Sequence, residues 1–515
     1  MSAPLLLAVD AGTGSCRAVV FTAAGDQVAY SQQEWTHREP PDVPGGQDFD
    51  IEANWALLRG CIRDVLSQDG VSAADIAAVS STSMREGIVL YDAAGREIWA
   101  CPNVDSRAVA EAEELVRSGD AQRIYDEAGD WVSITTPPRL RWLARHRPEL
   151  FGRVAGLGML SDWILYRLSG RQVTEPSAGS SSAMFALAER TWSERVAALC
   201  GLPAGVLPPV VEPGTVIGEV TAAAAADTGL RPGTPVVAGG ADTQLGLLGL
   251  GTPPGTYTVV GGTFWQNTVV LDRPLIDPEG RLRTLCHVHP GQWMLEGIGF
   301  YCGMSMRWFR DSFYGDVTGV DPYTVMEREA ATVPPGSGGL FAILSNLMNT
   351  RRWVHASPSF LGWDVTAPAD RARAAGSRAI EEAAAYVVRG HQQIVQELTG
   401  QTFTEAVFTG GAAKGTLWPQ ILADVLALPV HVPVVKESSA RGAAMCAAVG
   451  VGIHPSLREL PASLSTMERT FTPRPDAVAT YDIAYERWRT IYDALLPLSE
   501  QGLLRPLWRA AGASV

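Results

Sequence analysis

An acidic side chain followed by a glycine-rich turn lies near the start of the chain. Residues 5–9 form an apolar run, and Asp10, Gly12, Thr13 and Gly14 come after it. A short apolar run predicts a buried strand, and glycines let the following backbone amides point at a ligand. A carboxylate beside such amides and a hydroxyl suits a metal-bound polyphosphate. The alternative is an ordinary hairpin in which Asp10 starts the turn.

Two more predicted strands end on glycines in the second half of the chain. Their segments are VGGTFW at 260–265 and FTGG at 408–411. A helix predicted over 416–426 follows the second turn, and a helix N-terminus attracts anions. The GxxxxGK[ST] pattern of a Walker-type site is absent from the sequence. This arrangement favours a nucleotide between two halves of the chain, with a hairpin from each half reaching its phosphates.

The same succession of strand, Gly-Thr turn and strand opens each half of the chain. The segment 252–255, with sequence TPPG, separates the halves. We therefore predict two like-folded domains, 1–252 and 253–515, that face one another across a cleft. Residues from Pro455 onward are predicted to form a helical tail, and the sequence carries no signal for where that tail packs.

Local signals predict several elements between these turns. Asp50 is placed to cap a helix with apolar residues at helical spacing, and Ser438 with Ser439 precedes an alanine-rich helix that they are predicted to cap. His287 and His289 alternate on a predicted strand without a third ligand nearby in sequence. We expect these two side chains to face solvent rather than to bind a metal.

The composition is that of an ordinary globular protein. A chain of 515 residues is too long for one core, and 46% hydrophobic with 19% charged residues argues against disorder. The formal net charge of −14 disfavours a nucleic-acid partner. Seven scattered cysteines without CxxC spacing are typical of reduced thiols. Since no basic leader or membrane-length apolar stretch is present, we expect a cytoplasmic protein with no membrane contact.

A set of motifs makes the sequence resemble the FGGY carbohydrate kinase family. The resemblance implies an α/β protein with the duplicated ribonuclease-H-like fold of actin and hexokinase, and two domains around a central cleft. It also implies ATP and Mg²⁺ as cofactors and a small sugar- or polyol-like substrate. The matching motifs, in the family's order, are DAGTGSCRAVVF, GGADTQLGLLG, VGGTFW, FTGGAAKGTLWPQILADVL and ESSARGAA.

The resemblance assigns catalytic and nucleotide-binding roles. Asp242 would be the general base that takes the proton from the attacking hydroxyl, and Asp10 would help to hold Mg²⁺ through water. Arg17 would add positive charge at the phosphates, with a surface position as the alternative. The other predicted ATP contacts are Thr13, Gly14 and Ser15 in the first hairpin, Gly262 and Thr263 in the second, and Gly410, Gly411 and Ala412 at the adenosine, where packing of a helix start is the alternative.

Arg85 and Glu86 match the pair with which glycerol kinases hold substrate hydroxyls. A guanidinium fork beside a carboxylate acceptor suits a polyol or a carbonyl-bearing chain, and a surface ion pair is the alternative. Four further residues are predicted in the substrate site: Asp105, Asp162, Gln244 and Trp265. For Asp162, capping of its own helix is an equally weighted interpretation.

Within the family, several segments are most similar to the branch that phosphorylates a linear dihydroxypentanedione signal. Three departures from the wider family are Asn103 in place of a common Trp, the segment 345–355, and Gly415 in place of an adenine-contacting Asn. The first two agree with the dihydroxypentanedione branch and disfavour glycerol and ordinary pentuloses. The third leaves the nucleotide affinity open.

Two rival interpretations stay open. One keeps the chemistry and changes the acceptor to a xylulose, a ribulose or another polyol. The other is a non-catalytic ATP-binding switch or assembly protein, as actin is, and Asp242 with the Arg85–Glu86 pair disfavours it. The sequence leaves the oligomeric state open, and a homodimer is one of the assemblies that it allows.

Overall fold

Two mixed β-sheets, one from each half of the chain, form the framework. The computed structural model describes residues 3–300, 302–344, 356–434 and 437–504, so the predicted departure at 345–355 lies outside the described residues. The strands are β1 (Leu5–Ala11), β2 (Ser15–Thr22), β3 (Gln27–Glu34), β4 (Ile76–Ser83), β5 (Ile88–Tyr91), β6 (Glu97–Cys101), β7 (Gly156–Met159), β8 (Phe185–Ala186), β9 (Thr191–Trp192), β10 (Val216–Glu219), β11 (Pro235–Ala241), β12 (Tyr257–Gly261), β13 (Trp265–Leu271), β14 (Arg283–Cys286), β15 (Trp293–Gly299), β16 (Phe341–Ile343), β17 (Ser359–Leu361), β18 (Ala406–Thr409), β19 (Val430–Pro433) and β20 (Met467–Phe471).

The helices pack on both faces of these sheets and at their ends. They are α1 (Ile51–Leu66), α2 (Val109–Ser118), α3 (Asp120–Ala128), α4 (Thr136–His146), α5 (Pro148–Phe151), α6 (Leu160–Ser169), α7 (Pro176–Ser180), α8 (Glu194–Leu199), α9 (Ala222–Thr228), α10 (Asp242–Leu250), α11 (Cys302–Phe313), α12 (Pro322–Ala330), α13 (Ala369–Thr399), α14 (Leu417–Leu426), α15 (Ser438–Gly450) and α16 (Pro475–Glu500).

The two sheets repeat one topology. Their strand orders are β10-β11-β4-β1-β2-β3 and β14-β15-β13-β12-β18-β19-β20. In the first sheet β1, β2 and β3 pair antiparallel, and β1, β4 and β11 pair parallel. In the second sheet β12, β13 and β15 repeat the antiparallel set, and β12, β18 and β19 repeat the parallel set. The duplicated fold expected from the two strand–Gly-Thr–strand segments is confirmed.

Strand β1 is apolar along its length because both of its faces are buried. Leu5, Leu7 and Val9 pack into the core that α1 covers, whereas Leu6 and Ala8 pack into the core on the opposite face. Successive side chains of a strand point to opposite faces, so a strand covered on both sides reads as a continuous apolar run. The predicted strand and its hairpin with β2 are therefore confirmed.

Helix α15 comes from the second half of the chain but completes the core of the first sheet. Ala440, Ala443 and Ala444 pack with Leu6 and Ala8 of β1. Small residues also bring α15 against α10 backbone to backbone. A Cβ atom on Gly442 would lie 2.0 Å from the carbonyl oxygen of Leu245, and one on Gly249 would lie 2.0 Å from that of Ser438. The packing of α15 therefore crosses the predicted domain boundary at residue 252.

Gly442→Ala is expected to destabilise the protein by about 1–3 kcal/mol, because the added methyl forces α15 away from α10. Gly60→Ala in α1 is the matched control, since a Cβ there meets no atom within 4 Å. An alanine in that open helix position is expected to stabilise by about 0.5–1 kcal/mol. Urea unfolding of both variants measures the difference. Equal midpoints for the two variants would contradict the close helix contact.

Only part of the tail predicted to be helical from Pro455 onward is an α-helix: it is α16, which belongs to the core of the second half, whereas β20 before it pairs antiparallel with β19. Tyr481, Tyr485 and Trp488 are buried in the same cluster as residues of α13 and α14. Trp488 donates from its indole nitrogen to the carbonyl of Ala342 at 3.0 Å. Among the described helices, none is both long and apolar enough to cross a membrane.

Candidate active site

Three predicted site residues meet at one edge of the first sheet. Asp10 lies opposite Thr82 of β4, and Ala241 of β11 lies opposite Ser83. Because β1, β4 and β11 are parallel, their carboxyl ends share this edge, which is where open α/β sheets bind ligands. Asp10, Arg85 just beyond β4, and Asp242 just beyond β11 therefore lie close together.

Asp10 is a buried carboxylate in a crowded group of charges. Its Oδ2 lies 3.2 Å from Arg17 Nε, and Arg17 Nη1 lies 2.7 Å from Glu437. Burial raises the pKa of Asp10 to about 7; Arg17 lowers it, and the nearby Asp242 and Glu437 carboxylates raise it. The predicted Arg17 is thus brought to this site, half-buried between two carboxylates rather than at a free surface. Glu437 was not predicted.

The residues around Asp10 fit a magnesium ion that keeps its water. Asp10 Oδ1 is buried and has no hydrogen-bond partner within the described residues. A cation would offset the burial and, to a lesser degree, the carboxylate repulsion that raise the pKa of this carboxyl. No three His, Cys, Asp or Glu side chains in the described ranges are arranged to ligate a metal directly. Magnesium is commonly held by one or two carboxylates with waters and phosphates, and this donor set matches that pattern.

Asp242 is the first residue of α10, and one face of its carboxylate is open. Oδ1 accepts from the amide of Thr243 at 2.6 Å and lies 3.9 Å from Arg85 Nε. The side chain remains 37% exposed. Crowding by protein atoms raises the pKa of Asp242; Arg85 lowers it and Glu86 raises it.

Ser439 Oγ of α15 donates to the Asp242 carbonyl at 2.8 Å. This corrects the predicted capping role of Ser439, since the helix begins at Ser438 and the residue before it is Glu437.

Arg85 and Glu86 are held from the opposite sheet. Arg85 Nη1 donates to both oxygens of Glu296, at 3.1 and 2.9 Å. Arg283 bridges the pair, with Nε donating to Glu296 at 2.7 Å and Nη1 to Glu86 at 2.8 Å. Asp130 lies 3.3 Å from the same Nη1, and burial raises its pKa to about 6. The surface ion pair given as the alternative is therefore wrong, because both side chains are buried in a cluster between the sheets.

Glu86 has a backbone conformation that its surroundings impose. Its φ of 59° lies in the left-handed region, which is uncommon for a residue with a Cβ atom. Arg139 Nη1 donates to the Glu86 carbonyl at 2.5 Å, and the Glu86 amide donates to Ser181 Oγ at 3.3 Å. Such strained conformations concentrate at functional sites, where neighbours hold them.

The remaining predicted substrate residues are enclosed by protein. Asp105 is 1% exposed and receives bonds from Arg107 Nε and the Gln47 amide. Trp265 belongs to the core of the second sheet, 4.9 Å from the Trp418 ring. These positions do not support substrate contacts by Asp105 or Trp265, because neither side chain reaches the cleft surface. Gln244 is buried next to α7, and its Nε2 donates to the carbonyls of Ser177 and Cys286.

Asp162 caps α6, as its alternative interpretation proposed. Its Oδ2 accepts from the Met159 amide at 3.0 Å and from the Thr174 hydroxyl. The residue is 4% exposed, so the substrate role is not supported. Burial raises the pKa of Asp162 to about 8.

A pH dependence of stability follows from this buried carboxyl. With a folded-state pKa of about 8 against 3.8 for the ordinary group, folded Asp162 holds a proton that the unfolded chain loses. Stability therefore falls as pH rises from about 4 to 8. Asp162→Asn is expected to make the slope of unfolding free energy against pH less negative, by up to about 1.4 kcal/mol per pH unit. Urea unfolding at pH 5, 6, 7 and 8 checks this, and an unchanged slope would contradict it.

His287 does not face solvent as expected. It is 2% exposed and stacks on His289 with ring centroids 5.2 Å apart. Burial lowers the pKa of His287 well below its usual value. The predicted strand does not reach these residues, because β14 ends at Cys286 and both histidines lie in the irregular segment that follows it. The alternation of a strand therefore does not apply to them.

The first hairpin presents open backbone beside Asp10. The amide of Gly12 donates to the carbonyl of Ser15 at 2.9 Å and closes the turn. Thr13 is exposed, and its hydroxyl accepts from Asn103 at 3.1 Å. A Cβ atom on Gly14 would meet nothing within 4 Å, so space for a ligand lies above the turn. Thr13, Gly14 and Ser15 remain predicted phosphate contacts.

A cavity of about 600 Å³ lies against the second sheet. Four predicted nucleotide residues line it: Gly262, Thr263, Gly411 and Ala412. Gly410 does not line the cavity. It packs against Gly261 instead, since a Cβ atom there would lie 2.6 Å from the Gly261 carbonyl oxygen. The cavity also receives Arg307 and Lys414, which are cations that the sequence prediction missed.

The predicted anion site at the N-terminus of α14 is already filled. Glu327 of α12 accepts from the amides of Thr416 and Leu417 at 2.5 and 2.8 Å. A Cβ atom at Gly415 would lie 2.7 Å from the Glu327 carboxylate. The glycine noted as a departure from the family therefore makes room for a side chain from another helix.

Several site residues left only a weak signal in the sequence. Glu296 is a charge in the middle of the apolar strand WMLEGIG, and such a residue needs a buried partner. Arg283 is the first residue of β14, in which Leu285 and Cys286 are buried. Neither pattern indicated that the partner lies about 200 positions away in Arg85 or Glu86.

Comparison with known sequences decides the family. Residues 5–249 match the profile described as "FGGY family of carbohydrate kinases, N-terminal domain", and residues 257–451 match the corresponding C-terminal domain. The chain belongs to the FGGY family of carbohydrate kinases. It is therefore a phosphotransferase that acts on a hydroxyl group of a sugar or polyol, and FGGY kinases use ATP as the phosphate donor.

Full-length relatives of this FGGY kinase are similar over nearly the whole chain. An autoinducer-2 kinase of Yersinia enterocolitica is 44% identical, covering 99% of this chain and 98% of the relative. An autoinducer-2 kinase of Salmonella typhimurium is 43% identical, covering 98% and 97%. Among solved structures, a xylulose kinase from Rhodospirillum rubrum superposes with a TM-score of 0.85 at 27% identity, covering 96% of this chain and 99% of that one. The predicted fold and enzyme class are confirmed.

Proposed function

We propose that this FGGY kinase phosphorylates a hydroxyl of autoinducer-2, 4,5-dihydroxy-2,3-pentanedione, with ATP in the cytoplasm. Two relatives of that name at 43–44% identity over at least 97% of each chain support the acceptor. The observation that carries the chemistry is Asp242, whose carboxylate has an open face beside Arg85 at the edge shared with Asp10.

Asp242 is the group proposed to activate the acceptor. The acceptor hydroxyl gives its proton to Asp242, its oxygen bonds to the γ-phosphorus, and the bond from that phosphorus to the leaving ADP oxygen breaks. Arg85 and Glu86 are proposed to orient the acceptor with the atoms that Glu296 and Arg283 leave unbonded. A guanidinium N–H suits a ketone oxygen, and a carboxylate oxygen suits a hydroxyl.

The phosphates are proposed to lie between the two hairpins. Thr13, Gly14 and Ser15 would contact them from the first sheet and Gly262 with Thr263 from the other side, with Arg17 beside them. Gly411 and Ala412 would lie at the adenosine. Mg²⁺, held through water by Asp10, would neutralise phosphate charge when bound. Positioning and electrostatics then account for most of the rate.

A substrate panel tests the acceptor. Purified protein is assayed for ADP release with ATP, Mg²⁺ and each of dihydroxypentanedione, xylulose, ribulose and glycerol. We expect the largest kcat/KM for dihydroxypentanedione. A larger value for a pentulose would overturn this acceptor and favour the second candidate, a xylulose-type kinase, which the 27% identical xylulose kinase structure supports. ATP binding without phosphorylation of any acceptor would favour the non-catalytic switch.

A further inference from the structure

A buried arginine ties Glu86 to the loop that follows β6. Arg139 of α4 is fully buried, and its Nη1 donates to the Glu86 carbonyl at 2.5 Å. Its Nη2 donates to the carbonyls of Pro102, Asn103 and Asp105 at 3.1, 3.2 and 2.8 Å. A guanidinium group presents its donors in a rigid planar fork. The backbone of Asn103 is therefore held at a fixed position relative to Glu86.

The side chain of Asn103 reaches from this loop to the first hairpin. Its Nδ2 donates to the Thr13 hydroxyl oxygen at 3.1 Å, across 90 positions of the chain. Asn103 is also the position at which the sequence departs from a Trp that is common in the family. This departure therefore has a partner in the hairpin that is proposed to contact the phosphates.

The bond from Asn103 decides what the Thr13 hydroxyl can do next. A threonine hydroxyl has one proton to donate and two positions at which it accepts. The amide nitrogen of Asn103 can only donate, so Thr13 Oγ1 is the acceptor in this bond. The Thr13 proton therefore stays available for a second partner. A phosphate oxygen is charged, and hydrogen bonds to charged acceptors are about twice as strong as neutral ones.

The carbonyl groups of the same turn already have donors. Trp35 Nε1 donates to the Gly12 carbonyl at 3.0 Å, and the Trp35 amide donates to the Gly14 carbonyl at 3.2 Å. His37 Nε2 lies 2.8 Å from the Thr13 carbonyl, which can only accept. These bonds fix the turn and occupy the oxygens that would otherwise repel an anion. The turn therefore offers donors rather than acceptors to a ligand.

We propose that Asn103 is a positioning residue for the phosphate donor, because it turns the Thr13 hydroxyl so that its proton points at a phosphate oxygen of ATP. This role rests on the proposed function, which places the phosphates at the first hairpin. Asn103 does not itself touch the nucleotide. Without its amide, the Thr13 hydroxyl rotates about its Cβ–Oγ bond, and ATP binding has to order it at a cost in free energy. Arg139 keeps Asn103 within reach of Thr13.

A double-mutant cycle on nucleotide binding tests the proposal. Asn103→Leu removes the amide donor at nearly constant size, and Thr13→Val removes the hydroxyl. The two single variants and the double variant are titrated with ATP and with adenosine, in the presence of Mg²⁺ and without acceptor. We expect Thr13→Val to weaken ATP binding at least about tenfold, because a bond to a charged group is lost. Asn103→Leu is expected to weaken it at least about threefold.

The remaining arms of the experiment show whether Asn103 acts through Thr13. In the Thr13→Val background, Asn103→Leu is expected to change the dissociation constant for ATP by less than about twofold. Adenosine, which has no phosphates, is expected to bind every variant within about twofold of wild type. Val104→Ala changes an exposed side chain next to Asn103 in the same loop, and this control is expected to bind ATP as the wild type does.

The outcomes separate positioning from a structural defect and from the proposed function. A displaced loop in Asn103→Leu weakens adenosine binding together with ATP binding, and its effect persists in the Thr13→Val background. Either result, or an unchanged ATP affinity in Asn103→Leu, would overturn the proposal. A failed substrate panel with the expected cycle overturns the acceptor and leaves the role of Asn103 standing, because the titrations contain no acceptor. A phosphorylated acceptor with additive variants overturns the role of Asn103 alone.

Discussion

Asp242→Asn is expected to lower kcat by about a thousandfold or more, with the dissociation constant for ATP changed by less than about threefold. The amide cannot take the proton of the acceptor hydroxyl, yet it keeps the size of the carboxylate and its bond with the Thr243 amide. The substitution is therefore expected to slow the chemical step and to leave ATP binding nearly unchanged. Single-turnover ADP release and nucleotide titration measure the two quantities separately.

The control for this substitution is another aspartate. Asp493→Asn makes the same chemical change at an exposed position of α16 and is expected to keep wild-type kcat. Turnover within threefold of wild type in Asp242→Asn would remove Asp242 from its role.

Glu296→Gln is expected to lower the free energy of unfolding by about 3–5 kcal/mol. Glu296 is fully buried, and its carboxylate bonds both Arg85 and Arg283. Burial raises the pKa of Glu296, but the two guanidinium groups, Arg85 and then Arg283, together outweigh burial and hold the pKa below its usual value. Removing the negative charge leaves two buried cations without their nearest partner. The acceptor KM is expected to rise as well, because Arg85 loses its anchor.

An exposed ion pair in the same half of the chain is the comparison for the buried Glu296 cluster. Glu397 bonds Arg281 at 3.0 Å but is 62% exposed, so Glu397→Gln is expected to cost less than about 1 kcal/mol. Urea unfolding midpoints of the two variants measure the contrast. Similar midpoints would mean that the buried cluster contributes no more than a surface ion pair.

Individual strands, hairpins and helix caps were predictable because each is marked by residues close to it in the sequence. The apolar run before Asp10 and the glycine turn after it identified the first hairpin, and the recurrence of strand, Gly-Thr turn and strand at Gly262 identified the second sheet. Asp50 caps α1 as predicted, since its Oδ1 accepts from the Ala53 amide. These features depend on neighbours within a few positions, which a single sequence contains.

Long-range partners were not predictable in the same way. Nothing near Trp265 in the sequence distinguishes a cleft tryptophan from one packed on Trp418, and the structure buries it. Glu327 fills the N-terminus of α14 from about 90 positions away, where helix spacing alone suggested a free anion site. Arg17 and Glu437 meet across 420 positions. Such pairings arise from tertiary packing, so they appear only when the sheets and helices are assembled.

Helix α15 covers the core of the first sheet, although it comes late in the sequence. This order matters for synthesis on the ribosome. The apolar face formed by Leu6 and Ala8 is complete early in translation, but Ala440 and Ala443 that cover it emerge more than 400 residues later. At ordinary elongation rates the nascent chain exposes this face for tens of seconds. A fragment that stops at residue 252 is therefore expected to need a chaperone or to aggregate, because it lacks the helix that covers this face.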